Sequence, residues 1–590
     1  MTGGRPVFSS LTGARRAAPF LILIALAVSA VYYGVWSGGF LRDDFPVITE
    51  NPWITSLSYI PEIFSSSLWG FYQGDFVTGE SNYYRPMMHL QLMALYALFK
   101  TSPAGYHAVN LAIHVLNAFL VFLMASALLN AKEKNSDRRS YLLPFSAALF
   151  FSLHPASAEP VVWIGAIGEL SFTFLFMAAF YLFVRNGQGS GSLLYALSIA
   201  IYSVALFSKE TVTVLAPLFF FYGLMEGRPF VQALKRGAPY LAAAFIFVLI
   251  RSSIVGPLNA EHAMGGFQYI LSVVTLSAQY AAKLLFPFGI KLYYPFHAPV
   301  SFSDIATNEL GVLVLVAFAV IFWVWKSSMR REVIFFLLWI SMALAPPILM
   351  VKYIQGEWVF ASRYLYFSTA GFSILVAFGL SRLFSGSSAK WASIVMLAVA
   401  LVPFGFESAR AKGFWVDEFS FWKKAVEDAP MSPTTHASLG VVYAEKKMYL
   451  EAIREYERTI EIAPDSAGVY SNLGVVYYKT KETDKAILMF EKAVSLSKDA
   501  SRAGALHARL GAMYLEKGLP EKALFHLEQA VQSGQGDANL YNFLGAALAG
   551  SGQYQRAYAA FSEALRIDPQ NAMAQKNLDR LSRGGTGAGE

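Results

Sequence analysis

The hydrophobic pattern begins with an apolar run from Ala17 to Trp36, followed by two adjacent aspartates, Asp43 and Asp44, in FLRDDFPVITENPWI. Comparable runs return through residue 409. About 20 consecutive apolar residues let an α-helix cross a bilayer core. The pattern therefore predicts spans at 18–38, 106–130, 141–153, 162–184, 192–208, 211–225, 238–254, 308–326, 334–350, 364–384 and 391–409, about eleven in all. The segment 267–286 is ambiguous, because a crossing there would upset the alternation of basic and acidic loops. It is read as a helix at the outer interface or folded back into the protein. Residues 39–103 form a long outer loop, and the apolar RPMMHLQLMALYALF within it is too short to cross.

Beyond Trp415 the period changes. Leu439-Gly440, Leu473-Gly474, Leu510-Gly511 and Leu544-Gly545 each open a matching block. Ala452, Ala486, Ala523 and Ala557 follow at a fixed offset, and Tyr456, Phe490, Leu527 and Phe561 come four residues later. The step is 34 residues apart from a three-residue insertion before the third block, which is the tetratricopeptide period of paired helices. Trp422, Ala425 and Pro430 carry the register half a repeat upstream, and a capping helix is expected from Ala572. The fold class is therefore all-α. A polytopic membrane domain over 1–412 precedes a repeat solenoid over 413–580 and a Gly-rich, disordered tail over 581–590.

Composition sharpens this picture. The chain has 590 residues, 55% of them hydrophobic and 15% charged, below the quarter usual for soluble domains. The net charge of +7 gathers in short loops, which makes it a topological signal and not a nucleic-acid footprint. Basic loops at Lys132/Lys134/Arg138/Arg139, Arg228/Lys235/Arg236, Lys326/Arg330/Arg331 and Arg382/Lys390 read as cytoplasmic, together with the N-terminus. The Asp43 loop, HPASAEP at His154, Glu261 and VKYIQGEWVF at Val351 then face outward, and an odd number of spans puts the C-terminus outside as well. The first apolar run, preceded by Arg5, Arg15 and Arg16, is read as a retained signal-anchor. There is no cysteine, so disulfides and thiolate metal sites are excluded.

Polar residues gather at the outer ends of spans: His89, His107, Asn110, His114, His154, Glu159, Glu169, Lys209, Glu210 and Arg363. Ionisable groups at such depths are costly and point to a polar cavity within the bundle. No His-Glu-x-x-His, phosphate-binding Gly-rich loop or nucleophile elbow occurs. One reaction fits: sugar transfer from a lipid phosphate to a hydroxyl. The phosphate is already a good leaving group and needs only charge neutralisation, by cations or a metal. The acceptor needs one carboxylate as general base.

These residues resemble the GT-C fold glycosyltransferases. Within them the chain is most similar to the transmembrane-and-tetratricopeptide O-mannosyltransferases and their bacterial relatives. The matching pieces are LRDD…ENPWI, YYRPM, PAGYHAVNLAIHVLNA, HPASAEPVVWI, SKETVTVLAPL and RYLYFSTAGF, in that order, then the repeats. The resemblance implies a polyprenyl-phosphate sugar donor, a hexose such as mannose, inversion at the anomeric carbon and an acceptor on the outer face. Carried over, Asp43 or Asp44 is the base, with Asp43 preferred. Arg85 and Arg363 contact the donor phosphate, joined by Lys209. Tyr84, His89, His154, Glu159, Glu210 and Tyr366 are expected against substrate. Two positions depart from the family: Ser362 stands where Glu often precedes the arginine, and GAIGE supplies no arginine before Glu169.

Metal dependence stays open, since Asp43 with Asp44 could hold a divalent ion or the arginines could replace it. The expected partners are the lipid-linked donor, membrane lipids and a protein or peptide acceptor held by the repeats. The alternatives are a lipid or envelope-glycan acceptor, and a non-catalytic scaffold. A bacterial inner membrane, with the site and the repeats on the periplasmic side, is the expected location.

Overall fold

The computed structural model describes residues 11–72, 83–129, 141–187, 191–256, 264–301, 304, 311, 314, 316–317, 330–353, 359–383, 387–534 and 536–584. Every regular element among them is helical. The chain divides into two compact units, Met1–Lys424 and Ala425–Glu590. This cut falls twelve residues beyond the expected boundary. Trp415, at the start of the expected repeat domain, stacks on Trp163 within the first unit and meets Phe421 edge to face.

Among the described residues, six helices of the first unit are long and apolar enough to cross a membrane: Arg15–Ser37, Pro103–Leu128, Ile164–Gly187, Phe230–Ile254, Arg330–Lys352 and Ser362–Leu380. They coincide with six of the eleven expected spans. Three more expected spans are short apolar helices. Leu142–Leu153 and Ser192–Leu206 have 12 and 15 residues. The third is broken at Pro217 into Val212–Leu215 and Pro217–Met225. At 1.5 Å per residue these fall short of a 30 Å core. The eleventh segment lies in helix Ser387–Lys412, and the eighth, 308–326, lies almost wholly outside the described residues. The ambiguous segment is helix Gly266–Leu285. Its Leu276, Tyr280 and Leu284 pack with Leu344, Ile348 and Leu365.

Aromatic side chains fill the centre of the first unit. Phe219 stacks on Tyr240 with centroids 3.6 Å apart, and Trp339 on Phe367 at 4.9 Å. A Cβ at Gly371 would lie 2.5 Å from the Trp339 ring, so helix Tyr366–Leu383 needs glycine there to approach. Polar residues of helix Pro103–Leu129 tie its neighbours together. His114 bonds the Tyr366 hydroxyl and the Ser152 carbonyl, and Asn117 donates to Leu170 O and to the Tyr366 hydroxyl. The described part of the segment after the first span, up to residue 72, is a series of short helical turns with one short α-helix, Ile60–Ser65, and helix Pro86–Phe99 follows with proline at its first position.

The second unit is a stack of antiparallel pairs: Pro433–Glu445 with Tyr449–Ile462, Ala467–Lys479 with Thr483–Leu496, Ala500–Glu516 with Pro520–Gln532, and Ala538–Gly550 with Tyr554–Ile567. Helix Ala572–Gly584 follows. The inserted residues lengthen Ala500–Glu516 to 17 residues, against 13 for its counterparts. The motif glycine of each block is the seat for the large residue of the partner helix. A Cβ would lie 2.6 Å from Tyr456 at Gly440, 3.1 Å from Phe490 at Gly474, 2.4 Å from Leu527 at Gly511 and 2.6 Å from Phe561 at Gly545.

Candidate active site

The turn that carries the two aspartates sends them opposite ways. Arg42 has φ 51°, which reverses the chain directly before Asp43. Asp44 closes the turn on both sides: its N–H donates to Leu41 O, and its Oδ2 accepts the Leu41 N–H at 2.9 Å. Its side chain is fully buried, and burial holds the carboxyl well above the usual range, with the Leu41 N–H acting against this. Gly165 passes so close that a Cβ there would lie 2.9 Å from Asp44 Oδ1. Asp43 is exposed and lines a cavity of about 190 Å³.

Arg85, Lys209, Arg363 and Glu169 line the same cavity, with Trp69, Tyr83, Trp163 and Tyr364 as aromatic walls. The chain thus brings together Asp43, Arg85, Lys209 and Arg363 from four distant segments. Two acids hold the arginines by one repeated device. Glu210 accepts the Tyr84 N–H at 2.7 Å and Arg85 Nε at 2.8 Å. Glu159 accepts the Arg363 N–H at 3.0 Å and its Nη1 at 2.6 Å. Lys209 pairs with Glu169, and both are nearly buried. Burial depresses the Lys209 ammonium, and Glu169 opposes that shift. The aromatic walls add cation–π contacts: Arg85 over Tyr83 at 4.3 Å, Lys209 over Tyr364 at 5.1 Å, and Arg363 over Tyr364 at 4.8 Å and Trp163 at 5.2 Å.

Other expected substrate contacts sit elsewhere. Tyr84 is buried and donates its hydroxyl to Phe64 O. His89 is buried against Trp53 and Phe71. His154 caps a turn by accepting the Ala156 N–H, and its Nε2 meets Leu284 O. Tyr366 bonds His114 and Asn117 in the bundle. Glu159 and Glu210 reach the cavity only through the arginines they hold. The residues that sequence reasoning left out of the site are Trp69, Tyr83, Trp163, Glu169 and Tyr364. Tyr83 and Tyr364 lie within the motifs YYRPM and RYLYFSTAGF, and Glu169 among the polar residues at outer ends of spans.

The donor set bears on a metal. Asp44 turns its oxygens to Leu41 N and towards Gly165, so the pair does not converge on one ion. Among the described residues no group of three or more His, Asp or Glu side chains gathers to hold one. The cavity lining carries three cations against Asp43 and Glu169, an arrangement that can receive a phosphate monoanion or dianion.

Tetratricopeptide-repeat family models match residues 431–499 and 538–571. The chain is similar to the protein O-mannosyl-transferase F38B6.6 of Caenorhabditis elegans, 23% identical over 454 residues, which is 74% of this chain and 61% of that protein. It is likewise similar to the human protein O-mannosyl-transferase TMTC4, 23% identical over 71% of this chain and 63% of that protein. Among solved structures it is similar to YrrB, a TPR protein with an unusual peptide-binding site, at 23% identity and TM-score 0.26. That match covers 28% of this chain and 84% of YrrB. The chain thus spans about three fifths of the length of these two curated relatives. Over most of its own length it is similar to the protein O-mannosyl-transferases, with tetratricopeptide repeats at its C-terminal end.

Proposed function

We propose that the chain is an integral-membrane glycosyltransferase that moves a hexose from a polyprenyl-phosphate donor to a hydroxyl of a protein acceptor at the outer membrane face. One observation carries this reading: a single exposed carboxylate, Asp43, shares a cavity with three cations and a wall of aromatic rings. Asp43 is the general base. It accepts the acceptor hydroxyl proton as the oxygen attacks the anomeric carbon, and the lipid phosphate leaves with the bonding pair. Arg85, Lys209 and Arg363 neutralise the departing phosphate. Arg85 uses only Nε on Glu210, which leaves its terminal N–H groups for the ligand. The repeats select the acceptor, because a stacked array presents an extended groove to an unfolded segment.

The test is reconstitution of the purified full chain in liposomes with polyprenyl-phosphate mannose or glucose and a library of Ser/Thr peptides. Transfer abolished by Asp43→Asn in a folded protein supports the reading. Transfer at the parent rate by that variant, or sugar delivered only to a lipid, overturns it.

A further inference from the structure

We infer that Arg42 is a positioning residue for the proposed base: its left-handed backbone conformation, held from helix Glu418–Asp428, aims Asp43 into the cavity. The inference rests on the transferase reading above. A residue with a Cβ at φ 51° is uncommon, and it persists where the surroundings over-determine it. Here they do so twice. The Arg42 N–H donates to the Glu418 carboxylate, so the strained peptide itself is gripped. The guanidinium lies over three aromatic rings, Phe421 at 5.4 Å, Trp422 at 5.7 Å and Trp163 at 5.8 Å.

Trp163 is also a wall of the cavity and stacks on Trp415 at 5.9 Å. Glu418 is fixed in turn, accepting the Trp422 indole N–H on Oε2 at 2.6 Å. The next residues show the consequence. With Arg42 left-handed, Leu41 and Asp44 close on each other through two hydrogen bonds. That closure consumes Asp44 and leaves Asp43 as the outward member of the pair. Neither Arg42 nor Glu418 lines the cavity, so neither needs to touch substrate.

The experiment compares Arg42→Ala, Arg42→Lys, Glu418→Gln and the Arg42→Ala/Glu418→Gln double variant in the full chain. Two readouts are taken. Carbodiimide labelling, followed by peptide mass spectrometry, measures the ratio of modified Asp43 to modified Asp44 without any substrate. Steady-state transfer gives kcat and donor KM. Labelling of Asp43 far above Asp44 is expected in the parent, with the ratio collapsing in Arg42→Ala and Glu418→Gln while helix content is unchanged. In the same variants kcat should fall by roughly 10–100-fold, the scale of a small misplacement, with donor KM nearly constant. The double variant should be no worse than the worse single, and Arg42→Lys should recover part of the loss. Should Arg42→Ala fail to fold, Arg42→Lys and Glu418→Gln carry the same comparison. Unchanged labelling ratios and kcat in both single variants overturn the positioning role even if Asp43→Asn is inactive. An active Asp43→Asn protein instead overturns the transferase reading, and the labelling result then stands alone.

Discussion

The two units of this chain solve the problem of bringing residues together in opposite ways. In the repeat unit every important contact is local: a motif glycine receives a large residue sixteen positions later, and each pair packs chiefly on its sequence neighbours. In the membrane unit the contacts that build the cavity bridge Arg85 to Glu210 and Glu159 to Arg363, across 125 and 204 residues. Periodicity records the first kind of contact and not the second. The membrane unit also separates adjacent residues, making Asp43 a wall of the cavity and Asp44 part of the buried frame. The repeat unit gives the same position the same task four times.

The sharpest way to break that comparison is at the aspartates. Asp43→Asn should lower turnover by roughly 10²–10⁴-fold, the scale for loss of a general base, without lowering thermal stability. Asp44→Ala should do the reverse in kind. It leaves the Leu41 N–H buried without its acceptor, at a cost of about 1–3 kcal/mol in stability. Equal losses of turnover in Asp44→Asn, with Asp43→Asn fully active, would exchange their assignments.

The arginines come next, because their two roles can be separated. Arg363→Ala removes a proposed phosphate contact and also strands Glu159, whose side chain is only 11% exposed. A stability loss of about 3–5 kcal/mol is expected from the stranded charge. Arg363→Ala/Glu159→Ala should restore most of that stability while donor affinity stays weak. Recovery of donor affinity in the double variant, read by lipid-donor titration, would move the phosphate elsewhere.

The extent to which each unit could be read from sequence follows from this difference. Leu-Gly, Ala and the large residue recur at fixed offsets, so the helix pairs were readable down to their register. Their packing detail was not: that the motif glycine is the seat for the large side chain of the partner helix follows from no offset alone. In the membrane unit the long spans were readable from apolar length. The break at Pro217 was not, because the apolar run continues through it. Four cavity residues were reachable through their motifs, since unsatisfied charge beside a membrane must find partners. Tyr84, His89 and Tyr366 share the same motifs but point into packing. Side-chain direction within a motif depends on turns such as the one at Arg42, which hydropathy does not encode.

Within the repeats, packing should be graded by distance. Gly511→Ala puts a methyl group 2.4 Å from Leu527 and should cost about 1–3 kcal/mol. Gly474→Ala, at 3.1 Å from the Phe490 ring, should be far milder, because alanine regains about 1 kcal/mol of helix propensity. Chemical denaturation of the full chain, followed at the repeats, reads the order. Equal losses at the two positions would mean that the glycine seats are not what fixes the pairs.

Two histidine sites should give the array opposite pH responses. The Glu455 carboxylate 2.6 Å from His436 raises that imidazole above its ordinary 6.5. Its stabilisation is full below pH 6.5 and is lost as pH rises through the higher folded value. Burial lowers His526, which faces His507 at 2.8 Å, to about 4. Its contribution is present above pH 6.5 and is lost as pH falls towards 4. Hydrogen exchange at pH 5.5 and 8 should therefore loosen the third repeat on the acid side and the first on the alkaline side. His436→Gln and His526→Gln should each remove one limb, and a uniform response along the array would contradict the assignment.

The smallest effect tests how strictly the repeats copy one another. The turn inside each helix pair places one residue at positive φ: Lys447 at 61°, Lys481 at 65°, Gly518 at 69° and Gly552 at 75°. These four follow the block register, including the step lengthened by the insertion. The last two blocks place glycine where the conformation is free, and the first two place lysine where a Cβ crowds the carbonyl at a cost of about 1–2 kcal/mol. Glycine also gains freedom in the unfolded chain, which offsets about 0.4–1 kcal/mol. Lys447→Gly and Lys481→Gly should therefore stabilise their repeats by several tenths of a kcal/mol to about 1 kcal/mol each. Gly518→Lys and Gly552→Lys should cost a similar amount. Denaturant midpoints of the four single variants decide the matter: two gains and two losses would show one turn used four times, whereas losses in all four would show that the first two blocks depend on the lysine side chains themselves.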